Sequence, residues 1–163
     1  MLQGRCLPTR RFDMLIPGDE IPSWFVPQRS ISWANVHIPN NFHQDEWVGF
    51  ALCFLLVSYA DPPELCKHEI GCYLFTPNGK KLITTRGLPP MDPCYPHLYI
   101  LYMSIDKFRD EILNDDYWSE SGIEFVLKCY CCHSLQIVRC GSRLVCKQDV
   151  EDWSKVTSHF NES

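Results

Sequence analysis

The sequence predicts an all-β fold, a sandwich of two sheets with one or two short helices. Three observations lead there. Short stretches alternate apolar and polar residues with a period of two. Twelve prolines against eight glycines divide the chain into many brief elements joined by turns. Helical spacing is sparse, and no long amphipathic helix is written anywhere.

Taken in order, Ser32 to Ile38 reads as an early strand that Pro39 ends. Phe50 to Val57 is apolar on both faces, which suits a central strand covered on both sides. The Asp61-Pro62-Pro63 stop beyond it argues against a long buried helix. Ile70, Cys72 and Leu74 alternate with Gly71, Tyr73 and Phe75, and Pro77-Asn78-Gly79-Lys80 follows. Asn-Gly tolerates the positive φ of a tight hairpin, so Lys81 to Ile83 is the return strand. His97 to Tyr102 is a further strand. Ile105, Phe108 and Ile112 have helical spacing, with Ser104 or Asp106 as a cap. Ile123, Phe125, Leu127 and Cys129 alternate with Glu124, Val126, Lys128 and Tyr130 as a half-buried strand does. Leu135 to Val138 and Arg143 to Cys146 read as strands, the latter pairing across a turn at Gly141-Ser142. A terminal turn begins at Asp149, with Val150 and Trp153 on one side.

The 163 residues (19.0 kDa) amount to one domain, long enough to bury roughly two-thirds of the unfolded surface. No internal repeat, low-complexity tract or linker divides it. A net charge of −5, with no basic run, is a poor match to a nucleic-acid backbone, whose affinity comes from Lys and Arg. Ten cysteines invite a disulfide framework, but the first residues carry Arg5, Arg10 and Arg11 without an apolar secretory stretch. The expectation is a reduced, intracellular protein whose thiols pack as small hydrophobes. The longest apolar run, Val48 to Val57, is about half of the ~20 residues a membrane helix needs.

Chemistry is weakly signalled. Cys129, Cys131, Cys132 and His133 suggest a zinc site, yet strand alternation sends Cys132 to the face opposite Cys129 and Cys131. Cys66, His68 and Cys72 are no better spaced, and ordinary thiols are the favoured reading. A Cys-His nucleophilic pair stays open, because such partners meet in space rather than in sequence. Asp115-Asp116, near Asp110, Glu111 and Glu120, reads as a solvated acidic loop rather than an acid–base pair. There is no phosphate-cradling loop and no serine nucleophile elbow. Among the aromatics, Trp24 and Trp47 read as core-bordering, Trp33 is a further candidate for binding, and Trp118 sits among acids.

The run Ile16-Pro17-Gly18-Asp19-Glu20-Ile21-Pro22-Ser23-Trp24-Phe25-Val26-Pro27-Gln28 resembles the signature PGxEIPxWFxxQ. That signature opens the domain that follows the leucine-rich repeats of plant TIR-type NLR disease-resistance proteins. His37 to Phe42 is similar to the family's LPxxW element, with Phe42 in place of Trp. Trp47 to Cys53 resembles its GFAxC strand, centred on Gly49 and Phe50. His97 to Tyr102 resembles DHLWLxY. Val138 to Val145 resembles VKxCGxxLVY, carrying Cys140 and Gly141, with Cys146 where Tyr is common. The motifs also make sense as folding residues: Pro17-Gly18 and Ile21-Pro22 fix a kinked entry that Trp24-Phe25 then fill. On this reading Gly49 turns the chain into the buried strand, and Cys140-Gly141 makes the last hairpin.

The resemblance implies a jelly-roll or Ig-like sandwich over residues 12–153, joined to the repeats by residues 1–11 and followed by a tail, residues 154–163. It implies no enzyme and no cofactor in this domain. The parent is implied to carry a TIR domain that cleaves NAD+ and a switch that binds ADP or ATP. Implied partners are a pathogen effector, the adjoining repeats and a receptor oligomer, in the cytoplasm or nucleus, with neither nucleic acid nor membrane. Three loops have chemistry suited to effector contact: Asp61 to His68 (Pro62, Pro63, Glu64), Thr85 to Tyr95 (Arg86, Met91, Asp92) and Asn114 to Glu120 (Tyr117, Trp118). Two other readings stand beside this one, a glycan- or small-ligand-binding sandwich and a structural cap on the repeats.

Overall fold

The structure, a computed structural model, describes residues 11–26, 28–29, 33–36, 47–63, 67–76, 79–104, 123–130 and 134–149. They form nine strands: β1 (Arg11–Pro17), β2 (Gln28–Arg29), β3 (Trp33–Val36), β4 (Trp47–Ser58), β5 (Glu69–Thr76), β6 (Gly79–Gly87), β7 (His97–Ser104), β8 (Ile123–Cys129) and β9 (Leu135–Cys146). One sheet has the order β1-β7-β4-β9-β2 and the other β3-β8-β5-β6. Every neighbouring pair is antiparallel. The pairing is nested: β2 with β9, β3 with β8, β4 with β7, β5 with β6. That winding is a jelly roll rather than an immunoglobulin sandwich, with β1 added beyond β7.

Strand alternation explains why β4 is apolar throughout. Phe50, Leu52, Phe54 and Leu56 face the space between the sheets, where they meet Ile70, Cys72 and Leu74 of β5 and Phe125 and Leu127 of β8. The Phe50 and Phe125 rings lie 4.9 Å apart. Ala51, Cys53 and Leu55 face the other way, with Leu98, Ile100 and Tyr102 of β7. Ile21 and Phe25, from the segment after β1, pack on this outer face with Trp24. Burying a side chain such as that of Phe25 contributes roughly 1.5–3 kcal/mol, so this segment is a second core.

Two readings of glycine are corrected. β9 is one unbroken strand that pairs with β4 from Ser58↔Leu135 to Trp47↔Cys146, so no hairpin turns at Gly141-Ser142. Gly141 is small for another reason: a Cβ there would stand 2.9 Å from the Phe25 Cβ. Gly in a strand interior often marks such a close approach. Gly49, likewise, does not turn the chain. It lies inside β4 beside a register shift, where a Cβ would meet the Met103 carbonyl oxygen at 2.3 Å.

β1 and β2 have no counterpart in the sequence reading. β1 hides its pattern because Asp13 occupies an inward position between Phe12, Met14 and Ile16, which face outward. β5 and β6 form the expected hairpin, with Gly79 at φ 127°. The expected helix at Ile105–Ile112, the turn residues Val150 and Trp153, segment 1–10 and tail 154–163 lie outside the described residues.

Candidate recognition surface

Strand register gathers the connections at two ends. At one end lie Pro17, Ser58, Glu69, Gly87, His97, Cys129 and Leu135, so residues 18–26, 59–68, 88–96 and 130–134 all leave from there. Ser104 and Ile123 lie at the other end, so the connection carrying Asn114 to Glu120 springs from the opposite pole. The described residues of the first two loops singled out from sequence therefore share one end, while the third loop lies outside the described residues.

Backbone hydrogen bonds lace the four connections together. Gly18 N–H donates to Pro96 C=O at 3.0 Å, and Leu88 N–H to His68 C=O at 2.8 Å. Tyr59 N–H donates to Ser134 C=O at 2.6 Å, and Tyr130 N–H to Glu69 C=O at 2.9 Å. The described ends of these connections are thus tied to one another.

The Pro17–Phe25 corner has its own fastening. Phe25 N–H closes a turn on Pro22 C=O at 3.0 Å. The Gln28 amide donates to Ile21 C=O at 3.2 Å and Pro22 C=O at 3.1 Å, and accepts from Arg139 Nε at 3.2 Å. That is the work of the final glutamine in the motif. Arg143 lies over the Trp24 ring at 4.7 Å and donates to the Trp24 carbonyl at 2.8 Å and to Asp149 at 2.7 Å. Residues 18–23 with Gln28 and Arg139 line a groove of about 830 Å³, rimmed by the exposed carboxylates of Asp19 and Glu20.

The sequence-selected side chains divide sharply. Pro62 is exposed and Pro63 half-buried. Asp92 is exposed, but its carboxylate accepts from Cys94 N–H at 2.8 Å, which shapes the turn that Tyr95 N–H closes on Asp92 C=O at 3.0 Å. Met91 offers nothing to a partner: it is 1% exposed and sits in the core with Leu88. Arg86 is not a loop cation either. It lies in β6 and pairs with Asp13 of β1 at 3.1 Å, across the two sheets. Glu64, Tyr117 and Trp118 lie outside the described residues.

Sequence reasoning missed Tyr59 and named Tyr95 only as the bound of its second loop, yet these are the tyrosines this end presents most openly, at 59% and 65% exposure. Their signal was position: each stands at a strand boundary beside a proline turn, in Tyr59-Ala60-Asp61-Pro62 and Tyr95-Pro96. The Tyr59 hydroxyl donates to Gln136 at 3.0 Å, which holds the ring upright. With Asp19, Glu20, Asp61 and Asp92, the surface combines amphipathic rings with negative charge.

A jelly roll that fixes a laced, tyrosine-bearing loop platform at one end belongs to the class of loop-presenting β-sandwich domains. Residues 16–151 match the C-JID domain, and the chain belongs to that family, the C-terminal post-LRR domain of TIR-NB-LRR proteins. The family is a non-catalytic domain of those receptors. No curated protein matches the chain. Among the described residues, no helix is long and apolar enough to cross a membrane.

Proposed function

We propose that this domain helps the leucine-rich repeats of a plant TIR-type immune receptor recognise a pathogen effector, through the sandwich end that carries Tyr59 and Tyr95. The observation that carries the reading is the lacing of the four connections. A surface already fixed loses little entropy on docking, and tyrosine supplies large contact area with few rotors. The carboxylates Asp19, Glu20, Asp61 and Asp92 favour a basic patch on the effector and speed its approach.

In this reading the domain itself needs no cofactor. The parent supplies the response: effector contact frees the ADP/ATP-binding switch, the receptor oligomerises inside the cell, and its TIR domains cleave NAD+. Replacing Tyr59 and Tyr95 together with Ser in the full receptor tests the proposal. The expected outcome is loss of the effector response at unchanged protein level; an unchanged response contradicts it.

A second role, docking against the repeats, is supported by the outer face of the β3-β8-β5-β6 sheet. Phe75, Leu82 and Tyr130 are exposed there, and Tyr130 packs edge-on to Tyr73 with ring centroids 6.1 Å apart. Contiguous exposed apolar surface of this kind marks interaction sites. Recognition at one end and docking by one face are compatible.

A further inference from the structure

Three side chains that the recognition reading leaves unused meet where β4 ends, β5 begins and β8 ends. Ser58 Oγ lies 2.8 Å from His68 Nε2, and Cys129 Sγ lies 3.8 Å from His68 Nδ1. Ser58 and His68 are buried, while Cys129 is partly exposed. Ser58 and His68 flank one connection, and Cys129, 61 residues beyond His68, is brought to them by the pairing of β8 with β5.

Ala60 N–H donates to Ser58 Oγ at 3.3 Å, and the hydroxyl shares a hydrogen bond with His68 Nε2. With Nε2 engaged by Ser58, Nδ1 is the ring nitrogen turned to the Cys129 sulfur. An imidazole held beside a thiol is the pairing that activates a cysteine nucleophile.

Cys53, Cys72 and Cys140 are buried, and burial pushes the Cys72 thiol up to about 12. Cys94 is exposed, and its own N–H donates to the Asp92 carboxylate at 2.8 Å. At Cys146 the backbone N–H likewise holds Asp149 at 2.8 Å.

We propose that Cys129, activated by His68 and oriented through Ser58, is a modification site for small electrophilic oxidants of the hydroperoxide class. The Cys129 sulfur attacks one peroxide oxygen and the O–O bond breaks. The departing oxygen takes the proton that the thiol gives up. With hydrogen peroxide the products are a sulfenic acid on Cys129 and water; sulfur is oxidised and peroxide reduced. A second thiol reverses the modification through a disulfide. The site stands independently of effector recognition.

Alkylation of the full 163-residue chain with iodoacetamide at neutral pH tests this, with each cysteine followed by fragment-ion mass spectrometry. A thiol served by an imidazole is the more reactive nucleophile, so Cys129 is expected to alkylate several-fold faster than the more exposed Cys94. His68→Asn is expected to remove that advantage and leave Cys94 unchanged. Hydrogen peroxide followed by dimedone is expected to label Cys129. A Cys129 rate no greater than that of Cys94, or one unaltered in His68→Asn while Cys53 and Cys72 stay protected, overturns the proposal. Dimedone labelling confined to other cysteines does so too. Where Cys53 and Cys72 become reactive in the variant, the fold has opened and the wild-type ratio decides alone.

Discussion

Asp13 and Arg86 belong to edge strands of different sheets, yet their side chains meet at 3.1 Å and close one side of the sandwich. The second carboxylate oxygen of Asp13 accepts from the hydroxyl of Tyr99, a buried residue, at 2.7 Å. Arg11 adds to the seam by donating to the Ile83 carbonyl of β6. The two Asp13 contacts are unequal in worth. The Arg86 pair is partly solvated, so its loss costs about 0–1 kcal/mol. A buried hydroxyl left without its acceptor costs about 1–3 kcal/mol. Urea unfolding should therefore rank Asp13→Ala well below Arg86→Ala in stability, with Asp13→Asn, which still accepts from Tyr99, between them.

Gly141 distinguishes a strand from a turn. At a hairpin, Asn would substitute well, because it tolerates positive φ. In an unbroken β9, any Cβ at position 141 presses on Phe25. Gly141→Ala and Gly141→Asn should each lower stability by about 1–3 kcal/mol, the usual cost of overpacking. Phe25→Ala, which empties the outer core, should lose about 3–5 kcal/mol. Denaturant titrations of the three variants check both figures.

Alkaline stability follows from the buried acids. Burial pushes the Cys72 thiol from 9.0 to about 12, and burial with the hydrogen bond to Asp13 pushes the Tyr99 hydroxyl well above its ordinary 10.0. Folded-state values above the unfolded ones mean that the unfolded chain releases these protons first. The stability they contribute is complete below about pH 9 and is lost as pH rises beyond it. The urea midpoint should hold steady near neutrality and fall progressively above about pH 9, less steeply in Tyr99→Phe. A midpoint flat far into alkali would contradict this.

Much of the scaffold was legible because it obeys a period of two: β4, the β5–β6 hairpin, β7 and β8 all appear in the sequence reading. The failures have physical causes. Gly141-Ser142 carries a turn's composition for a packing reason, and Asp13 interrupts β1 with a buried polar contact. Met91 follows Pro89-Pro90 and reads as surface, yet with Leu88 it anchors its loop in the core. The Ser58, His68 and Cys129 line joins positions up to 71 apart, which no local spacing encodes. Tyr59 and Tyr95 needed the register that brings their loops to one end.

The opposite pole provides a control. The strand ends that flank Tyr117 and Trp118 in the chain, Ser104 and Ile123, lie at the pole opposite the laced connections. Tyr117→Ala with Trp118→Ala in the full receptor should leave both protein level and effector response unchanged. Loss of response at normal abundance would move the recognition surface to that end.

The most direct measurement is hydrogen–deuterium exchange on the full receptor with and without its effector. Slowed exchange upon binding is expected in residues 18–23, 59–63 and 88–96, the connections held together at one end. Protection confined to residues 105–122, or absent from this domain while the repeats are protected, would show that recognition takes place elsewhere.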